Sequence, residues 1–161
     1  VTADPGPLGA AMDAAAAGDR FLDAFARATG APPPRWVDRD PASYPDQWRT
    51  ELDRRLIAGD TRPCPHLGAT PVLTFWMVGR PERLTCQACY EDACRAMIGT
   101  PDDRVCDHCG ATAEPGGMHP VGLQVPVHVD VGGAGMTITG PVMITGGLCH
   151  RCYLDETGRA R

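Results

Sequence analysis

Eight cysteines stand at positions 64, 86, 89, 94, 106, 109, 149 and 152, and seven of them fall into four short groups. The groups are Cys64-Pro65-His66, Cys86-Gln87-Ala88-Cys89, Cys106-Asp107-His108-Cys109 and Cys149-His150-Arg151-Cys152. Two sulfurs three positions apart can converge on one ion while the intervening backbone amides point at the thiolates. The candidate ligands are therefore Cys64, His66, Cys86, Cys89, Cys106, Cys109, Cys149 and Cys152, which make two complete tetrahedral sets. The expected cofactor is Zn²⁺, two ions, both structural, because a set closed by four protein ligands leaves no position for water or substrate. A disulfide framework would need a secretory context. Dithiol redox chemistry would need a C-x-x-C next to a strand of a βαβ unit, and no such unit is evident.

The remaining titratable and aromatic residues read as less specialised. Cys94 lies five positions beyond Cys89 and is expected as a small buried hydrophobe, with replacement of His66 as a ligand as its alternative. His108 and His150 sit inside cysteine pairs and are expected to face solvent or a neighbour. His119 falls in a Gly/Pro-rich stretch. His128 and Asp130 share one strand parity, a spacing that permits acid–base work but is common on exposed sheet faces. Trp36, Trp48 and Trp76 are expected in packing. The chain has no H-E-x-x-H, no H-x-E ahead of a P-C-x-x-C, no P-loop and no G-x-S-x-G, so no catalytic residue is assigned and no enzyme activity is expected.

The elements that must position these ligands follow from periodicity. Residues 7–29 read as a helix, with Leu8, Met12, Ala15, Leu22, Phe25 and Ala26 at helical spacing and Gly30 as its stop. Ala31-Pro32-Pro33-Pro34 is an extended linker. A second helix is expected from Pro45 to Ala58, with Trp48, Leu52, Leu56 and Ile57 on its apolar face and Gly59 at its end. Val72–Val78 reads as a strand, 79–82 as a turn and Arg83-Leu84-Thr85 as the returning strand. Gln87–Ile98 reads as a short helix closed by Gly99-Thr100-Pro101. Residues 111–120 are expected as loop. Val121–Val131 alternates, with Val121, Leu123, Val125, Val127, Val129 and Val131 on one parity. Gly132-Gly133 turns the chain, and Met136–Thr139 and Val142–Thr145 are expected as two short strands parted by Gly140-Pro141. A terminal helix is expected from Tyr153 to Glu156 or slightly beyond.

An internal echo links the second and fourth cysteine groups. Leu84-Thr85-Cys86-Gln87-Ala88-Cys89-Tyr90-Glu91-Asp92 is similar to Gly147-Leu148-Cys149-His150-Arg151-Cys152-Tyr153-Leu154-Asp155, with a Leu close before the first Cys and the Cys, Cys, Tyr and Asp positions in register. Each segment follows strand-like residues, precedes helix-like ones and has a turn-like ligand pair upstream. This order over residues 62–158 resembles the treble-clef class of zinc fingers, with Cys106-Asp107-His108-Cys109-Gly110 also similar to a zinc-ribbon knuckle. The resemblance implies a knuckle, a β-hairpin and a helix whose first turn supplies the last two ligands. The first unit would use Cys64, His66, Cys86 and Cys89, and the second Cys106, Cys109, Cys149 and Cys152. The first unit departs from the pattern in having C-x-H for C-x-x-C. Sequential pairing is expected; a cross-braced arrangement, similar to RING-type domains, is the alternative.

The expected fold class is thus small α+β: a helical N-terminal segment (1–60, linker at 31–34), then two tandem zinc-stabilised treble-clef or zinc-ribbon-like units with β-hairpins, at 62–100 and 101–161, the second with a β-rich insertion. Composition agrees that a staple is needed. Aromatics are 6% of the 161 residues, and Gly and Pro number 19 and 16, which leaves a thin core. The formal charge is −5, with neither half basic, so a general nucleic-acid stripe is not expected. Every one of the 15 basic residues is Arg and Asn is missing too, a bias that a GC-rich bacterial or phage coding sequence accounts for. No basic segment precedes an apolar one in residues 1–20, and no run approaches membrane-spanning length, so a soluble chain in the reducing cytoplasm is expected. The functional expectation is an adaptor that recruits another protein. Its alternatives are a nucleic-acid-binding regulator using Arg80, Arg83, Arg95, Arg104 and Arg151, and a redox- or zinc-responsive switch.

Overall fold

The computed structural model describes residues 35–36, 42–67, 73–131 and 136–159, together with single helical positions at 20 and 27. The expected helix over 7–29, those two positions apart, and the Pro-rich linker at 31–34 lie outside the described residues. The order of elements is β1 (Arg35–Trp36), α1 (Tyr44–Ala58), β2 (Arg62–Pro63), β3 (Thr74–Met77), β4 (Arg83–Cys86), α2 (Gln87–Met97), a 3-10 turn (Pro101–Arg104), β5 (Met118–Val131), β6 (Met136–Cys149) and α3 (His150–Arg159). The fold is small α+β.

Helix α1 forms where its sequence says it should. Ser43 accepts the backbone N–H of Asp46 at 3.2 Å and caps the first turn, and Pro45 occupies a position where its missing N–H costs nothing. Gly59, at φ 73°, ends the helix in the left-handed conformation that a side chain would strain. Trp48, Leu52 and Leu56, four residues apart, form the buried stripe. Ile57 corrects the expected apolar face: it is 86% exposed, because one residue past Leu56 the helix has turned about 100° away from the core.

The strands form one six-stranded mixed sheet in the order β1-β5-β6-β3-β4-β2. Hairpin β3–β4 pairs antiparallel, with Trp76 opposite Leu84 and Thr74 opposite Cys86. Hairpin β5–β6 pairs antiparallel over its whole length, from Met118 opposite Cys149 to Val131 opposite Met136. The two hairpins are joined by a parallel ladder from Thr74 opposite Val142 to Met77 opposite Thr145. The stretches expected as two tandem units therefore share one sheet. Since β4 and β6 run in opposite directions, their final residues, Cys86 and Cys149, lie toward opposite ends of it. Cys86 is level with Val142 across β3. Cys149 is seven residues further along β6, roughly 23 Å at strand rise.

Three boundaries differ from the sequence reading. β5 begins at Met118, inside the expected loop over 111–120, because β6 continues far enough to pair with it. β6 is one strand across Gly140-Pro141. Pro141 stands opposite Pro126 within the ladder. α3 begins at His150 instead of Tyr153, which puts Cys152 in its first turn. Residues 132–135, which join β5 to β6, lie outside the described residues.

Apolar side chains pack on both faces of the sheet. On one face α1 covers Trp76, Leu84, Val121, Leu123, Val125, Val142, Ile144 and Leu148. On the other, α2 lays Tyr90 and Cys94 over Phe75, Met77 and Met143, with the Phe75 and Tyr90 rings stacked at 4.3 Å. Trp48 and Trp76 are buried in the first cluster, as expected of packing residues. Trp48 lies so close to β6 that a Cβ on Gly146 would fall 2.8 Å from its ring. Gly146→Ala is therefore expected to cost about 1–3 kcal/mol, since a rigid indole must move; an unchanged denaturant midpoint would contradict this packing.

Candidate metal centres

The first centre is built at the end of β4. Cys64 follows β2, held by its N–H to the Leu84 carbonyl at 2.8 Å, and a turn closes behind it as Leu67 N–H reaches the Cys64 carbonyl at 3.0 Å. That turn carries His66. Cys86 closes β4 and caps α2, and Cys89 lies in the first turn of α2. Donor atoms of Cys64, His66, Cys86 and Cys89 all lie within 4.8 Å of one another. His66 Nδ1 is 3.1 Å from Cys89 Sγ, and Cys86 donates its backbone N–H to Cys64 Sγ at 3.3 Å. Cys94, the alternative ligand, lies instead in the apolar cluster under α2, where burial pushes its thiol up.

The second centre repeats this plan at the end of β6. Cys106 and Cys109 belong to a knuckle closed by the Gly110 N–H on the Cys106 carbonyl at 2.9 Å, and Gly110 takes φ 71°, the left-handed conformation that glycine adopts without strain. Cys149 ends β6 and Cys152 lies in the first turn of α3. Cys106, Cys109, Cys149 and Cys152 also place their sulfurs within 4.8 Å of one another. Cys109 and Cys149 Sγ are 3.8 Å apart, the separation two sulfurs take when each is about 2.3 Å from one tetrahedral ion. The grouping runs sequentially, groups one and two at one centre and three and four at the other.

Asp107, which the sequence reading did not single out, fixes the second knuckle to the sheet. Its N–H donates to the Gly147 carbonyl at 2.9 Å and its carboxylate accepts the Gly147 N–H at 2.7 Å. Burial pushes its carboxyl up to about 6, against the opposing hydrogen bond from Gly147. Near α3 two more residues meet: His119 Nε2 lies 3.1 Å from His150 Nδ1, and the His119 ring stacks on Tyr153 at 4.2 Å. Burial, then the charge of His150, holds His119 below the ordinary histidine range. His119 thus belongs to β5, not to a loop. His108 stacks on Tyr44 at 3.6 Å. His128 and Asp130 stand on β5 opposite Thr139 and Thr137.

The donor sets fit a divalent cation on chemical grounds. In each centre one sulfur resists ionisation while another is favoured. Burial pushes Cys64 up, but N–H donors from Cys86 and His66 outweigh it and leave the thiol below its ordinary value. Cys89, by burial and then by its neighbours Cys86 and Cys64, is pushed up to about 11. At the second centre the N–H groups of Cys109, Cys149 and His108 outweigh burial and bring Cys106 to about 7, while burial and the other three sulfurs push Cys152 far up. Thiolates packed this closely repel one another, and a cation among them removes the conflict. With Zn²⁺ bound, Cys64, His66, Cys86 and Cys89 would hold one ion and Cys106, Cys109, Cys149 and Cys152 the other.

The chain is thus a small α+β protein with two zinc-finger-like cysteine-rich clusters that could hold metal. Comparison with protein-family models, with curated proteins and with solved structures finds no match. Among the described residues no helix is long and apolar enough to cross a membrane.

Proposed function

We propose that this chain is a zinc-stapled protein-interaction module, in which two structural Zn²⁺ ions hold treble-clef-like units together and the assembled sheet and helices present a surface to a protein partner in the cytoplasm. The observation that carries the structural reading is the pair of four-ligand clusters closed entirely by protein side chains. Their placement supports it: each ends a long-range strand, starts a helix and ties both to a distant knuckle. Thiolate-rich sets also make poor Lewis acids, since the sulfurs already neutralise the ion.

Three features favour a protein partner over nucleic acid. The chain carries a formal −5 charge. Ile57, Ile98 and Leu154 are large apolar side chains left exposed on or beside the helices. Of the five arginines that a nucleic-acid surface would use, Arg95 is already ion-paired with Glu91 at 2.9 Å and Asp92 at 2.6 Å. Affinity capture on the zinc-loaded chain, with and without nuclease, tests this. A protein captured equally in both, and lost on Ile98→Asp or Leu154→Asp with zinc content unchanged, is the expected result. Micromolar binding to mixed-sequence nucleic acid that weakens steeply with salt, and that Arg80→Ala or Arg83→Ala reduces, would replace the adaptor reading with the regulator reading.

A further inference from the structure

Helix α1 contributes no ligand to either centre, yet its first residue touches the second centre from three sides. The Tyr44 backbone N–H donates to Glu156 Oε2 at 3.0 Å in a buried setting. Its phenol donates to Asp155. Its ring stacks on His108 at 3.6 Å and 17°. Each of these partners is placed by a ligand of that centre. His108 lies in the knuckle between Cys106 and Cys109, and Asp155 and Glu156 lie on α3 just after Cys152. One turn further along α1, Trp48 covers Gly146 of the strand that ends in Cys149.

We propose that Tyr44 is a latch through which metal loading of the second centre controls the docking of α1. The proposal rests on the zinc reading above. Its physics is that of several contacts on one support: the backbone N–H on Glu156, the phenol on Asp155 and the ring on His108. Tyr44 N–H is a first-turn amide with no intrahelical acceptor, and Glu156 satisfies it only while α3 is held in place. The Ser43 cap, by contrast, is local to α1 and independent of metal. Metal loss removes the ligands' hold on α3 and leaves the knuckle tied to the sheet only through Asp107, so the Tyr44 contacts weaken together, whereas the Ser43 cap involves no residue of the centre. Linkage makes the effect reciprocal: whatever factor the metal adds to docking, docking adds to metal affinity.

The test uses the full zinc-loaded chain under chelator competition. Native mass spectrometry counts bound zinc, and Cys109→Ser and Cys89→Ser assign each loss to its centre. Tyr44→Ala, which removes the ring and phenol contacts and keeps the backbone N–H on Glu156, is expected to weaken zinc at the second centre about tenfold and to leave the first within about twofold. Tyr44→Phe, which loses only the phenol contact, is expected to fall between the two. In the wild type, withdrawing the second centre's zinc is expected to raise hydrogen exchange in residues 44–50 at least tenfold over the loaded protein, a readout needing no variant. Equal loosening of both centres by Tyr44→Ala, an unchanged second centre, or continued protection of residues 44–50 without its zinc would overturn the latch. A chain that takes up no zinc would sink the structural-zinc reading and the latch with it, whereas two bound ions indifferent to Tyr44 would sink the latch alone.

Discussion

Stripping the metal from this protein under reducing conditions is expected to abolish its cooperative thermal transition. A structural zinc site contributes on the order of 10 kcal/mol to a small fold, and a domain of this size has about 5–15 kcal/mol of net stability in all. Two such sites would exceed the whole margin. The architecture explains the dependence. β2 is two residues long and β4 four, and α2 and α3 each begin at a ligand cysteine. Without metal the knuckles are left with a handful of backbone bonds, such as Cys64 N–H to Leu84 and Asp107 N–H to Gly147. The loaded protein is expected to carry two zinc ions per chain by elemental analysis and to melt as one unit. Chelated protein is expected to lose its near-ultraviolet circular dichroism. An apo chain that melts cooperatively within a few degrees of the loaded one would refute the structural role.

Trp76→Ala is expected to destabilise the zinc-loaded protein by about 3–5 kcal/mol. Trp76 is 1% exposed on β3, the strand where the two hairpins meet. It stands level with Leu84 of β4 on one side and Ile144 of β6 on the other. Its indole N–H donates to the Pro81 carbonyl at 3.1 Å, which also accepts from the Thr61 hydroxyl at 2.7 Å, so removal loses one hydrogen bond without stranding the acceptor. Trp76→Phe keeps most of the volume and loses the N–H, and is expected to cost less. Ile57→Ala, at an apolar position facing solvent, is expected to stay within about 0.5 kcal/mol and serves as the control. Denaturant unfolding at saturating zinc measures all three. A Trp76→Ala midpoint equal to that of Ile57→Ala would mean that the sheet is not held together through β3.

The candidate centres were legible because ligand chemistry is local. A C-x-x-C pair brings two sulfurs together whatever the rest of the chain does, and three such pairs plus C-x-H supplied the eight donors the two clusters contain. Helix α1 was legible for the same reason, through the 48/52/56 stripe and Gly59. The misreadings share the opposite cause. Gly140-Pro141 looks like a break, yet β6 continues through it, opposite Val127 and Pro126 of β5. Met118-His119-Pro120 looks like loop, and becomes strand because Gly147, Leu148 and Cys149 lie opposite. Tyr44 and Asp107 carry no local signal at all, since their partners are 112 and 40 residues away.

The sequence by itself therefore determined which eight side chains group into the two candidate clusters and the α+β character, because each follows from residue type and short-range spacing. Tertiary structure alone decided that both hairpins join one sheet through the parallel β3–β6 ladder, that the two clusters lie toward opposite ends of it, and that α1 docks on the second centre through Tyr44. These depend on which distant surfaces meet. Strand pairing uses backbone groups common to every residue, so the choice of partner leaves no mark until the whole core packs.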